Sequence, residues 1–356
     1  MKNRTLFLFI ILFIVSSTFH LSAEAEKKIL FKDLVRPGIV TVNPGETHLY
    51  IVDFPNINVY SLKDFKLIKT FGSRGEGPGE FLRFARPYFH NGSLLVHSQI
   101  KLSYYSKEWK LQKQHNLPML FDRGFKPFGD KIAAAYMAPG EKPGIRYKVI
   151  ALHDWERKKI KEVFRQEYYF GAGDKINGIY LPEADRRSGV RFMVWKDRLY
   201  IEPDDGENGI LDVYDSEGKK LYTIKHQFEK LEVTSQHKKM AAEWFRVRGR
   251  RLLEMVKERG LLWWPSHFPA VRYAEVNDDK IYMIPYKKKE GKVRLFIFDL
   301  RGKLLRHVAA PLTEDSIFEL HPMCIKGGKI YQVTENDDEV YELHIYDIAT
   351  LPALTF

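Results

Sequence analysis

The chain has 356 residues, 44% hydrophobic and 14% aromatic, and a formal net charge of +11. That length and apolar content support a substantial core and exclude a disordered or low-complexity chain. The positive balance favours anionic partners, and a single cysteine excludes an internal disulfide.

The N-terminus reads as a targeting segment. Lys2 and Arg4 precede the apolar run LFLFIILFIV (6–15), and Ala23 and Ala25 stand at the −3 and −1 positions of a cleavage site. Residues 1–25 are therefore expected to be a cleaved secretory signal, leaving 26–356 in the periplasm or outside the cell. An uncleaved anchor is the alternative, but the run is short against the roughly 20 apolar residues of a membrane span. No cysteine follows the run, which excludes a lipoprotein anchor, and no later segment is apolar enough to span a bilayer. Nucleic acid is not an expected partner in that compartment. Cys324 lies in the apolar run HPMCI and reads as a buried thiol rather than a nucleophile.

One pattern then recurs six times, at 48–72, 93–117, 131–164, 198–226, 280–310 and 329–351. Each copy alternates apolar and polar residues at the period of a strand. The joints are turn chemistry: DSEGK (215–219), DLRGK (299–303), NDDK (277–280) and KGGK (326–329). A short apolar piece precedes most copies: GIVTV (38–42), PYFH (87–90), RFMVW (191–195), VRYAEV (271–276) and HPMCI (321–325). About four strands per unit, six times over, predict an all-β fold, a six-bladed β-propeller. Either ILFKDL (29–34) or LPALTF (351–356) can close the ring.

The segment 234–260 breaks the pattern. Thr234 is a candidate N-cap, Gly260 a stop, and Met240, Trp244, Val247, Leu252, Met255 and Val256 recur at roughly helical spacing. An amphipathic helix is expected there, within an insertion spanning about 230–268 between blades four and five. Its basic residues include Lys238, Lys239, Arg246 and Lys257. Packing on the domain is favoured over lying on an anionic membrane, and the helix could cap one face of the ring.

FGSRGEGPGEF (71–81) falls between the first and second copies. Its glycines permit positive φ, and Phe71 and Phe81 can pack between sheets. Pro78 and the absence of a Lys-Ser/Thr pair argue against a phosphate-binding loop. Together with LYIVD (49–53) and NVY (58–60), this stretch resembles the NHL-type repeat of the exported bacterial six-bladed β-propeller family. The match covers about 35 residues. The resemblance implies a six-bladed propeller, export and a mostly undefined function, and it supplies no catalytic residues to carry over; the chain departs from many members in lacking a lipobox cysteine and carrying the insertion.

Aligning the copies on Leu94, Ile132, Leu199, Ile281 and Ile330 places Arg86, Arg123, Arg191, Arg272 and His321 eight or nine residues upstream, with Arg36 at a looser spacing. Such residues could form a basic ring at one channel mouth, binding carboxylate, sulfate or phosphate. They could equally be consumed by blade carbonyls or by acids such as Asp122, Glu275 and Glu319. The acidic clusters at 203–209, 276–279 and 334–339 lack the alternating calcium loop and read as turns. No zinc-spaced histidine pair and no G-x-S-x-G elbow occurs. The sequence thus points to a binding module for an anionic small molecule or glycan, or for an envelope protein. No metal or cofactor is expected, and a monomer is. A metal-dependent hydrolase or lyase sited in the channel is the alternative, and a structural scaffold is a third option.

Overall fold

A computed structural model describes residues 27–117, 124–141, 145–169, 176–177, 190–203, 208–258, 260 and 262–354. The expected signal, 1–25, lies outside the described residues. Six four-stranded antiparallel sheets follow one another. Blade one comprises Pro37–Val42, His48–Asp53, Asn56–Ser61 and Leu67–Phe71. Blade two comprises Arg86–His90, Ser93–Ser98, Lys101–Tyr105 and Leu111–Asn116. Blade three comprises Gly124–Phe128, Lys131–Pro139, Ile145–His153 and Lys159–Tyr169. Blade four comprises Arg191–Trp195, Arg198–Glu202, Gly209–Tyr214 and Lys220–His226. Blade five comprises Val271–Asn277, Lys280–Pro285, Val293–Asp299 and Leu304–Ala310. Blade six takes Met323–Lys326, Lys329–Glu335 and Tyr341–Asp347 from the C-terminal end and Lys27–Phe31 as its outermost strand.

Period-two alternation explains how each blade serves two neighbours. In His48–Asp53, Leu49 and Ile51 pack toward blade six, while Tyr50 and Val52 pack toward blade two. Comparable buried clusters fill the other junctions: Leu95 and Leu102 with Phe125 and Ile132, Ile150 with Phe192 and Ile201, Tyr200 with Phe296 and Phe298, and Leu295 with Ile330 and Tyr346. The core is therefore distributed around six interfaces rather than gathered in one centre.

The open question of closure is settled by strand pairing. Lys27–Phe31 pairs with Tyr341–Asp347, Ile29 facing Leu343. The C-terminal residues instead cross back to blade five, where Ala309 N donates to Pro352 O and Leu354 N to His307 O. Residues 355–356 lie outside the described residues.

FGSRGEGPGEF is the crossover from blade one to blade two, and its contacts are internal. Ser73–Arg74 and Glu80–Phe81 pair in parallel. The Glu80 carboxylate accepts from Gly77 N at 2.7 Å, and the buried Lys101 ammonium donates to the carbonyls of Glu76 and Gly77. Gly72 has φ +92°, and a Cβ there would lie 2.4 Å from the Phe81 ring. Phe81 is fully buried between blades one and two. The loop is a folded joint: its backbone occupies the Glu80 carboxylate, and its carbonyls hold the Lys101 ammonium of blade two.

Helix α1 spans Ser235–Glu258. Thr234 caps it, its Oγ1 accepting from His237 N, while Thr234 N donates back to His237 Nδ1. Gly260, at φ +62°, ends it with a bond from its N to Lys257 O. The face turned inward carries Ala241, Trp244 and Phe245, not the full stripe expected: Val247 is 70% exposed. The side chains of Leu252, Met255 and Val256 lie outside the described ones.

Candidate functional site

The innermost strands begin at one mouth of the ring, and that end carries the basic positions singled out in the sequence. Among the described members of that set, strand pairing places only Arg86 and Arg191 at equivalent positions, opposite His97 and Glu202 of their second strands. Arg272 sits inside a register shift between Val271 and Tyr273. Arg36 precedes blade one and is exposed, and His321 precedes blade six and is half-buried. Arg123 and Asp122 lie outside the described residues.

The arginine partners are local. Arg191 makes an ion pair with Glu202 at 2.8 Å and donates to Arg272 O at 2.8 Å. Arg272, its side chain 4% exposed, pairs with Glu314 and donates to Ser316 O at 2.6 Å. Arg86 lies over the Phe84 ring at 5.1 Å. The backbone N of Arg36 is held by Asp53, which also accepts from Val35 N. Burial lowers the His321 pKa. Of the acids expected as partners, Glu319 accepts from Trp244 Nε1 and Glu275 faces the axis, as described next. The bridging carboxylates are instead Glu202 and Glu314.

One layer further along the innermost strands stand Thr41, Tyr88, Lys126, Met193, Glu275 and Cys324, each paired with the third residue of its second strand. Lys126 belongs to blade three, yet its ammonium lies 5.9 Å from the Tyr88 ring of blade two and 5.9 Å from the Phe192 ring of blade four. It also feels the charge of Glu275 on blade five. A side chain that meets three other blades does so at the axis. Lys126 was missed in the sequence because its strand, GFKPF, is short and carries a proline. Counting back six residues from Ile132, as from Ile281 to Glu275, would have found it.

The two charges in this layer are held differently. Glu275 accepts from the Tyr273 hydroxyl, from Ile325 N at 3.0 Å and from Asn277 Nδ2 at 3.5 Å. Burial raises its pKa, against those hydrogen bonds and the Lys126 charge. The Lys126 ammonium donates no hydrogen bond to a described residue. Burial lowers its pKa, the Glu275 charge opposes that, and Arg86 adds to it. Cys324, in the same layer, is a free buried thiol, its pKa raised well above the ordinary value by burial first and then by Glu275.

The acidic clusters are consumed by turns. Asp278 accepts from Lys326 at 2.6 Å and Gly327 N at 2.7 Å, and Asp279 from Trp195 Nε1 at 2.8 Å and from Lys196. Asn336 Oδ1 accepts from Asp338 N and Val340 N. Residues 204–207 of the first cluster lie outside the described residues. Among the described residues, no group of three or more His, Cys, Asp or Glu side chains stands at metal-holding distance. None of their helices is long and apolar enough to cross a membrane.

No family model matches the chain, and no curated protein matches it. Solved structures do. The β-propeller domain of Myceliophteria thermophila Cps50 (Swd1) is 10% identical, with 90% of this chain and 99% of that one covered and a TM-score of 0.45. The AfRom2 CNH domain is 11% identical over 92% and 88%, with a TM-score of 0.39. Kluyveromyces lactis Hsv2 is 10% identical over 87% and 98%, with a TM-score of 0.40. The six four-stranded sheets and their pairing make the chain a six-bladed β-propeller, with one α-helix among the described residues, inserted between blades four and five.

Proposed function

We propose that this protein is a binding module, exported from the cell, that takes a small carboxylate or acidic sugar into the central channel. The observation that carries the reading is Lys126. Its ammonium projects to the axis without an acceptor among the described residues, beside two aromatic rings, while the one acid of its layer is occupied by three donors. A desolvated cation lacking a hydrogen-bonded counter-ion is stabilised by any anion that can reach it. Arg36 adds positive charge on the approach, whereas Arg191 and Arg272 are largely neutralised by Glu202 and Glu314. The leading segment 1–25 and the resemblance to exported propellers support the compartment. In such a place acidic glycans and organic acids are available ligands.

The test is a thermal-shift titration with galacturonate, succinate and sulfate, with and without EDTA. A binding site for one of these anions raises the melting temperature in a saturable, EDTA-insensitive way. Lys126→Met should abolish the rise and Lys126→Arg should retain part of it. An equal rise in Lys126→Met, or no rise with any anion, removes the channel as an anion site and leaves a protein partner as the better account.

A further inference from the structure

A second site lies outside the channel, where α1 overhangs blade five. The crossover into α1, the turn after Pro285 and the segment 314–317 enclose a cleft of about 430 Å³. Its lining is of two kinds. Leu231, Met240 and Ile317 are apolar. Lys287, Lys288, Glu314 and Ser316 are polar. Glu314 is already shared by Arg272 and Lys288, so its charge is fully answered. Lys287 makes no ion pair with a described residue. The cleft therefore offers apolar side chains beside an ammonium with no ion pair among the described residues.

Two further features fit a ligand rather than a packing defect. Tyr286 lines the cleft at 4% exposure, and its hydroxyl is buried without a hydrogen-bond partner. Met240 stands at the opening, on the helix, 36% exposed. Its unbranched thioether can turn aside and open a path to that hydroxyl. The volume lies within the range of small-molecule pockets.

We propose that this cleft binds an amphiphilic anion: a medium-chain fatty acid or an arylcarboxylate, its carboxylate on Lys287 and its apolar body against Leu231, Met240 and Ile317. The site is independent of Lys126, so either can fail without the other.

The experiment uses the full chain and 1-anilinonaphthalene-8-sulfonate, which carries both an apolar body and an anionic group. The probe should brighten saturably at one site, and decanoate should displace it where decanol does not. Lys287→Gln should weaken binding about tenfold, the loss of one charge-assisted hydrogen bond. Met240→Trp, filling the cleft from its exposed side, should abolish binding. Tyr286→Phe should weaken binding without lowering the melting temperature, whereas a merely structural hydroxyl would lower it. Lys126→Met should leave the titration unchanged. Probe binding that persists in both Lys287→Gln and Met240→Trp, displacement by decanol as good as by decanoate, or no saturable binding would overturn the proposal.

Discussion

His97 should make this propeller acid-sensitive well above the carboxylate range. It sits on the second strand of blade two, fully buried, opposite Arg86. Its ring meets Phe84 edge-on at 5.3 Å and Phe125 at 5.5 Å. Nε2 donates to Gln99 O, and Nδ1 is buried without a partner. A second ring proton would have no acceptor and would face a guanidinium. Burial, helped by the Arg86 charge and opposed by the Gln99 carbonyl, lowers the pKa from 6.5 to about 4. The unfolded chain therefore binds more protons than the folded one between those values, and stability falls as pH drops through the window. The full difference is about 3 kcal/mol, of which roughly half is lost between pH 6.5 and 5. Urea denaturation at half-unit steps from pH 7.5 to 4.5 measures it. His97→Gln keeps a donor for the Gln99 carbonyl and cannot titrate, so its stability should fall less steeply than that of the wild type by that amount. His307, also lowered to about 4 by burial and by Arg294, contributes equally to both curves. Parallel curves for the two proteins would refute the reasoning.

Phe81→Ala should cost about 3–5 kcal/mol in chemical denaturation, because the ring is fully buried between two blades that cannot collapse into the space. Lys101→Met should cost about 1–3 kcal/mol by leaving the carbonyls of Glu76 and Gly77 without a donor, with nucleotide addition restoring nothing. Ile29→Cys with Leu343→Cys, a directly facing pair, should oxidise to a disulfide and raise the melting temperature, since the bond locks the ring at its closure. Failure of that pair to cross-link, read by mass shift, would count against closure by the N-terminal strand.

The blades were legible because their chemistry repeats. Strand alternation, Asp-x-x-Gly turns and the Thr234 and Gly260 caps each act over a few residues, so a single sequence carries them. Closure was not legible. Both termini offered apolar strands, and only the facing of Ile29 with Leu343 decided between them. The channel layer was hidden for a related reason. Innermost strands are short and flanked by crossovers of unequal length, and the shifts at Pro37/Ile39 and Val271/Tyr273 break any fixed count from the mouth. Counting from the second strand, past the Pro127 of GFKPF, restores it and brings Lys126 level with Glu275. The neutralisation of Arg272 was equally unreadable, because Glu314 lies 42 residues away on the next crossover.

The most direct test of the channel site is anomalous diffraction from a crystal soaked in bromide. Bromide is a monovalent anion that needs a cation and little else. An anomalous peak at the axis, in contact with Lys126 Nζ and absent in Lys126→Met crystals, is the predicted result. An axis without bromide, with the Lys126 ammonium hydrogen-bonded to Glu275, would contradict the account, since the lysine would then have its counter-ion within the ring.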